Sequence, residues 1–131
     1  MDDLVIVDGA NVVGSVPDGW WRDRAGAGAR LRDALAGRPE GTLPGEIVLV
    51  VEGAARTVVG VTGVRVVSAP GSGDDTIVEL ARDAVSDRTV IVVTADRQLR
   101  ERVRNLGARI LGPGEVRDVI GYGAGRRGGS T

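Results

Sequence analysis

At 131 residues the chain has the size of one ordinary domain, with no room for a second. It contains no His, Cys or Lys, and its 17 basic residues are all Arg, set against 18 Asp and Glu. These absences exclude zinc sites built on nitrogen and sulfur, disulfides, imidazole or thiolate catalysis and Schiff-base lysines; near-zero net charge confines any nucleic-acid binding to a local patch. Catalysis, if present, must come from carboxylates, hydroxyls, Arg, backbone amides and oxygen-bound metal ions.

Residues 4–7 form a short aliphatic run ending in Asp8-Gly9, which reads as a buried strand followed by a turn. Trp21, Ala25, Gly28, Leu31 and Leu35 keep the three-or-four spacing of one apolar helix stripe. Gly26 and Gly28 weaken that helix by up to ~1 kcal/mol each relative to Ala, so packing must hold it. A Gly- and Pro-rich loop follows, then a second buried strand at 47–51, ending at Glu52-Gly53. A third strand at 64–67 closes with Pro70-Gly71-Ser72-Gly73. From Asp74 the stripe Ile77, Leu80, Ala81, Ala84 and Val85 marks the clearest helix in the chain. Residues 90–93 give a fourth strand, and Asp96 opens an Arg-rich helix carrying Leu99, Val103 and Leu106. Gly107 suits its C-terminal cap, 108–111 a short fifth strand, and 115–120 a last helix.

Strands alternating with helices, and Val-rich without Phe, predict an α/β domain with a parallel sheet covered on both faces. The domain is expected over 1–120, with 121–131 a flexible Gly/Arg tail whose Arg126 and Arg127 read either as a solvated terminus or as an RNA contact. The acidic start Met1-Asp2-Asp3 and the shortness of the longest aliphatic run fit neither a signal peptide nor a membrane span, so the expectation is a soluble, cytoplasmic protein.

In an open α/β sheet, ligands collect outside the carboxyl ends of the strands. Asp8 ends the first strand, Glu52 follows the second, Asp96 follows the fourth by two residues, and Asp74 opens a helix that starts at the same edge. Two unit charges ~4 Å apart at an effective dielectric of ~20 repel by about 4 kcal/mol. Such a cluster calls for protons or a divalent cation, and an all-oxygen site suits Mg²⁺ or Mn²⁺. Each residue also has a plainer role. Asp96 can cap its helix, and Asp74 and Asp75 can favour a helix dipole. Asn11 can be a turn residue, and Glu52 an ordinary acidic strand end.

Four segments resemble the NYN branch of the PIN-like ribonucleases, in particular its YacP-like members. They are Val7-Asp8-Gly9-Ala10-Asn11-Val12-Val13-Gly14, Val50-Val51-Glu52-Gly53, Gly73-Asp74-Asp75-Thr76-Ile77 with Leu80-Ala81, and Val93-Thr94-Ala95-Asp96. The resemblance spans residues 4–120. It implies a PIN-like three-layer α/β/α fold with a five-stranded parallel sheet in order 3-2-1-4-5, and divalent-metal-dependent hydrolysis of RNA phosphodiesters. By motif, Asp8, Asp74 and Asp96 are the expected metal ligands and catalytic acids, with Asn11 orienting one of them or a bound water. Glu52 and Asp75 are further candidates for the metal. The chain departs from the family in carrying Glu52 where Asp is commoner, and in a C-terminus shorter than the helical extension of YacP-like proteins.

Without imidazole, attack by a 2′-hydroxyl between two histidines is not available, so cation-assisted attack by water should leave 5′-phosphate and 3′-hydroxyl ends. Arg97, Arg100, Arg102, Arg104 and Arg109 stand against one Glu101 directly after Asp96. They read either as a solvated helix face or as an RNA-backbone patch, with Arg97, Arg100 and Arg104 foremost. Trp20 and Trp21 read as core or as base-stacking groups.

Competing chemistries lack their residues. A Walker loop at 9–15 has no lysine, and Gly121-Tyr122-Gly123-Ala124-Gly125 follows no strand. A haloacid-dehalogenase-like site wants Asp where Ala10 stands. The alternative function is a catalytically degenerate NYN domain that binds RNA, such as ribosome-associated mRNA, or a ribosomal partner without cutting. A toxin of a toxin–antitoxin pair would use the same chemistry.

Overall fold

In the computed structural model, which describes residues 2–123, the first strand β1 (Leu4–Asp8) is buried along its whole length. Such a strand must be flanked on both edges and covered on both faces, and this one is. It pairs in parallel with β2 (Glu46–Val51) on one side and β4 (Val90–Val93) on the other. The edges are β3 (Arg65–Ser68) and β5 (Arg109–Leu111), both parallel to their neighbours, giving the order β3-β2-β1-β4-β5. The sheet expected from the resemblance is therefore present.

Alternation along the strands divides the core in two. Val5, Val7, Ile47, Leu49 and Val51 face one layer, formed by α1 (Gly9–Gly14), α2 (Arg24–Ala36) and α5 (Pro113–Ile120), where they meet Val12, Leu31, Leu35 and Val116. Leu4, Ile6, Val48, Val50, Val90 and Val92 face the other, where α3 (Gly73–Ala84) and α4 (Arg97–Asn105) bring Ile77, Ala81, Leu99 and Val103. Among the described residues no helix is long and apolar enough to cross a membrane.

Four differences from the sequence reading have physical causes. The turn expected after Asp8 is a helix, α1, capped by the Asp8 side chain. Gly9 lets it start there: a Cβ at this position would stand 2.6 Å from the Val50 carbonyl oxygen. The second helix begins at Arg24, because Asp23 caps it by accepting from the Gly26 N–H at 2.9 Å; Trp21 falls in a separate 3-10 turn, Trp20–Arg22, and is exposed. The last helix starts two residues early, at Pro113, whose fixed φ suits a first turn. Finally, the fold passes the expected boundary at 120. Gly121 turns the chain with φ 74°, and Tyr122 is buried against the α2 layer, its hydroxyl 3.5 Å from the Ala27 carbonyl. The rest of the expected tail, 124–131, lies outside the described residues.

Candidate active site

Asp8 closes the central strand and is buried, with 6% of its surface exposed. Its two oxygens are used differently. Oδ1 accepts the Asn11 backbone N–H at 3.3 Å, which caps α1, and Oδ2 accepts the Thr94 hydroxyl at 2.9 Å. Burial is the main force on its carboxyl and pushes its pKa from 3.8 to about 6. The two hydrogen bonds work against that rise, and the nearby Asp74 and Glu52 charges add to it.

Thr94 is the residue that sequence reasoning missed. It lies one residue past β4 and is completely buried. Its hydroxyl gives its proton to Asp8 and accepts the Asp96 backbone N–H at 3.1 Å, so one side chain links two of the expected acids. The signal was a hydroxyl residue closing the aliphatic run of Val93-Thr94-Ala95-Asp96, which carries no information about where the hydroxyl points. The same loop is held twice more. The Asn11 side-chain oxygen accepts the Ala95 N–H at 2.8 Å, and Arg100 Nε donates to the Thr94 carbonyl at 2.8 Å. Asn11 thus ties α1 to the loop that carries Asp96. Asp96 itself caps α4, its Oδ1 accepting the Leu99 N–H at 2.9 Å.

From the other side, Glu52 follows β2 and its Oε2 accepts the Gly73 N–H, which fixes the start of α3 against the end of the sheet. The longer Glu side chain therefore has a structural task here. Asp74, the next residue, is half-buried. Burial raises its pKa first, the Asp96 and Glu52 charges raise it further, and Arg102 opposes them. Asp75 is exposed and pairs with Arg102 Nη2 at 3.1 Å. Its charge still adds to the repulsion on Asp74, while its side chain is held by a surface cation.

Asp8, Glu52, Asp74 and Asp96 thus gather at the carboxyl end of the sheet and repel one another there. Among the described residues, no group of three or more acidic side chains is placed to hold a metal ion. Mg²⁺ commonly keeps several waters and takes only one or two carboxylates together with phosphate oxygens. An all-oxygen set of mutually repelling carboxylates fits such a hydrated cation, and does not fit an ion stripped of water by the protein alone.

Beyond the acids, on the β4 side, Arg97, Arg100 and Arg104 line one shallow groove of about 450 Å³ with Ala95 and Glu101. Arg100 has a structural bond as well; Arg102 leaves this group to pair with Asp75. On the β2 side Trp20 is half-buried against the α2 layer, and Trp21 is exposed.

No family model and no curated protein matches the sequence. In structure the chain is similar to Rae1 (YacP) from Bacillus subtilis, with a TM-score of 0.70 and 23% identity over 95% of this chain and 79% of that one. A single-substitution mutant of the same protein gives a TM-score of 0.64 at 18% identity, covering 95% of this chain and 78% of the other. At these identities the likeness shows the fold alone, a PIN-like arrangement of helices around a five-stranded parallel sheet.

Proposed function

We propose that the chain is a divalent-metal-dependent endoribonuclease that hydrolyses RNA phosphodiester bonds at the carboxyl edge of its sheet. The observation that carries this reading is Asp8. A carboxyl buried at the end of the central strand, held by two hydrogen bonds and still raised to about 6, is a costly feature that Asp74 and Glu52 make costlier. A ribonuclease-like fold with such a concentration of anionic charge at its ligand-binding edge is suited to a cation and a phosphate.

Asp8, Asp74 and Asp96 would face a hydrated Mg²⁺ or Mn²⁺, one or two of them binding it directly and the others through its waters, with Glu52 beside them. When bound, such an ion stabilises negative charge on the phosphoryl oxygens and acidifies water. The rest is the work of this chain. Thr94 holds Asp8 and the Asp96 backbone in one arrangement, and Asn11 fixes the same loop from α1. Arg97 and Arg104, exposed in their groove, supply positive charge for the RNA backbone without reading bases. Glu52 keeps the N-terminus of α3, with Asp74, against the sheet.

The test is cleavage of single-stranded RNA by the purified chain with Mg²⁺, with Mn²⁺ and with EDTA, repeated for Asp8→Asn and Asp74→Asn. Cleavage that needs the cation, fails in both variants and leaves 5′-phosphate and 3′-hydroxyl ends supports the reading. Equal cleavage in EDTA, or 2′,3′-cyclic phosphate products, refutes it. RNA that is bound but never cut makes the chain a binding module, the second reading.

A further inference from the structure

Beside the acidic edge lies a pocket that the mechanism above does not use. It has a volume of about 310 Å³ and sits between α1, α2 and the end of β2. Its lining is mostly apolar or glycine, with Trp20 as the aromatic wall and Arg24 and Glu52 as the charged groups. The Arg24 guanidinium lies over the Trp20 ring, 5.2 Å from its centroid. Two flat surfaces that stack well on heterocycles are therefore placed together, with hydrogen-bonding groups of both signs on the same cavity.

Gly53 and Gly71 stand on the lining in open space, where an added Cβ would meet nothing within 4 Å. The volume is at the lower end of the ~300–1,000 Å³ range of small-ligand sites, which suits a single ring system better than an extended ligand. Location narrows the occupant further. Glu52 lines this pocket together with Gly9, the residue after Asp8, so the pocket adjoins the acidic edge. In the sheet order, the pocket lies at the end of β2, Asp8 at the end of β1, and the Arg97–Arg104 groove beyond the end of β4.

We infer that the Trp20 pocket seats one nucleobase of the RNA strand, belonging to a nucleotide next to the phosphate that lies over the acids. The inference rests on the ribonuclease reading for the polymer, and on the pocket alone for the base. A strand crossing the edge has its backbone on the arginine groove at one side and a base stacked on Trp20 at the other. Phosphate contacts carry no base information, so this pocket is where the chain would discriminate among nucleotides.

The experiment uses the whole chain in EDTA, so that binding is read without cutting. In a Trp21→Phe background Trp20 is the sole tryptophan, and its fluorescence is followed as short oligouridine, oligoadenosine and an abasic ribose-phosphate strand are added. Base-bearing strands should quench Trp20 and the abasic strand should not. Trp20→Ala should weaken base-bearing RNA about ten-fold or more, the scale of one stacked base, while Trp20→Phe stays near the parent. Because Trp20 also packs against the core, Gly71→Leu serves as a second variant: it adds a large side chain to the pocket lining, leaves Trp20 in place and should weaken the same strands. Neither change should alter binding of the abasic strand. The inference is overturned if both variants bind base-bearing RNA within about two-fold of the parent, or if the abasic strand is weakened equally. RNA that is cut with cation but shows no Trp20 dependence removes the pocket and leaves the ribonuclease reading standing. A parent that neither binds nor cuts RNA, with Mg²⁺ or without it, removes both.

Discussion

Removing the charge of Asp8 should make the metal-free protein more stable. In the fold its carboxyl titrates at about 6 instead of 3.8, with burial the main cause and the Asp74 and Glu52 charges adding to it. At about 1.36 kcal/mol per pH unit, keeping Asp8 ionised in the folded state at pH 7 costs about 3 kcal/mol relative to the unfolded chain. The sign follows from proton binding. Between pH 3.8 and about 6 the folded state holds a proton on Asp8 that the unfolded state has lost, so stability falls as pH rises through that window. Asp8→Asn keeps an acceptor for the Asn11 N–H but places an amide where the Thr94 hydroxyl now donates. The net gain should therefore be smaller, about 1–2 kcal/mol once one hydrogen bond is discounted. Urea denaturation of parent and variant in EDTA, at pH 7.5 and at pH 3.5, measures it. The variant should be the more stable at the higher pH and should lose that advantage at the lower. A variant less stable than the parent at pH 7.5, or a difference independent of pH, would refute the picture of a strained anion.

Thr94→Val should cost about 1–3 kcal/mol in the same assay, because it orphans a buried Asp8 oxygen and the Asp96 N–H; cleavage should fall more than RNA binding does. A Thr94→Ser chain should recover much of both. Gly9→Ala must push α1 away from the Val50 carbonyl, with an expected loss of about 1–3 kcal/mol by thermal or urea unfolding, whereas Gly63→Ala, in an open turn at positive φ, should lose only about 1 kcal/mol from strain. Arg97→Gln and Arg104→Gln should each weaken binding of base-bearing and abasic RNA alike, and lower the salt dependence of log K by about one phosphate contact. Arg100→Gln should also loosen the Asp96 loop, because its Nε holds the Thr94 carbonyl, so its thermal unfolding should shift where theirs does not.

The strands were legible because burial on both faces leaves an unmixed Val and Ile signature. The reading 90–93 matches β4, and 4–7 and 47–51 fall within a residue of β1 and β2. Helix α3 announced itself by periodicity, and α4 by periodicity and by the capping residue Asp96 at its start. The helix α1 did not. Its six residues include two glycines and an asparagine, and it is held by a local cap from Asp8 and by close approach to β2, the second a tertiary fact. At the site, position along the chain was enough to bring Asp8, Glu52, Asp74 and Asp96 to one edge. What each oxygen does was not readable. Glu52 binds Gly73, Asp96 caps its own helix, and Asp75 turns to Arg102 because a partner is within reach there. Thr94 was invisible for the same reason, since a hydroxyl counts only where its two neighbours are known.

The central claim is that the acids at the end of β1, after β2, in the first turn of α3 and after β4 face one cation site. Crystals of the chain soaked in Mn²⁺, with diffraction recorded at the manganese absorption edge, test it directly. The account predicts an anomalous peak next to Asp8 and Asp74 that disappears in Asp8→Asn. A map with no peak at that edge, or with manganese only at scattered surface carboxylates such as Asp75, would contradict it.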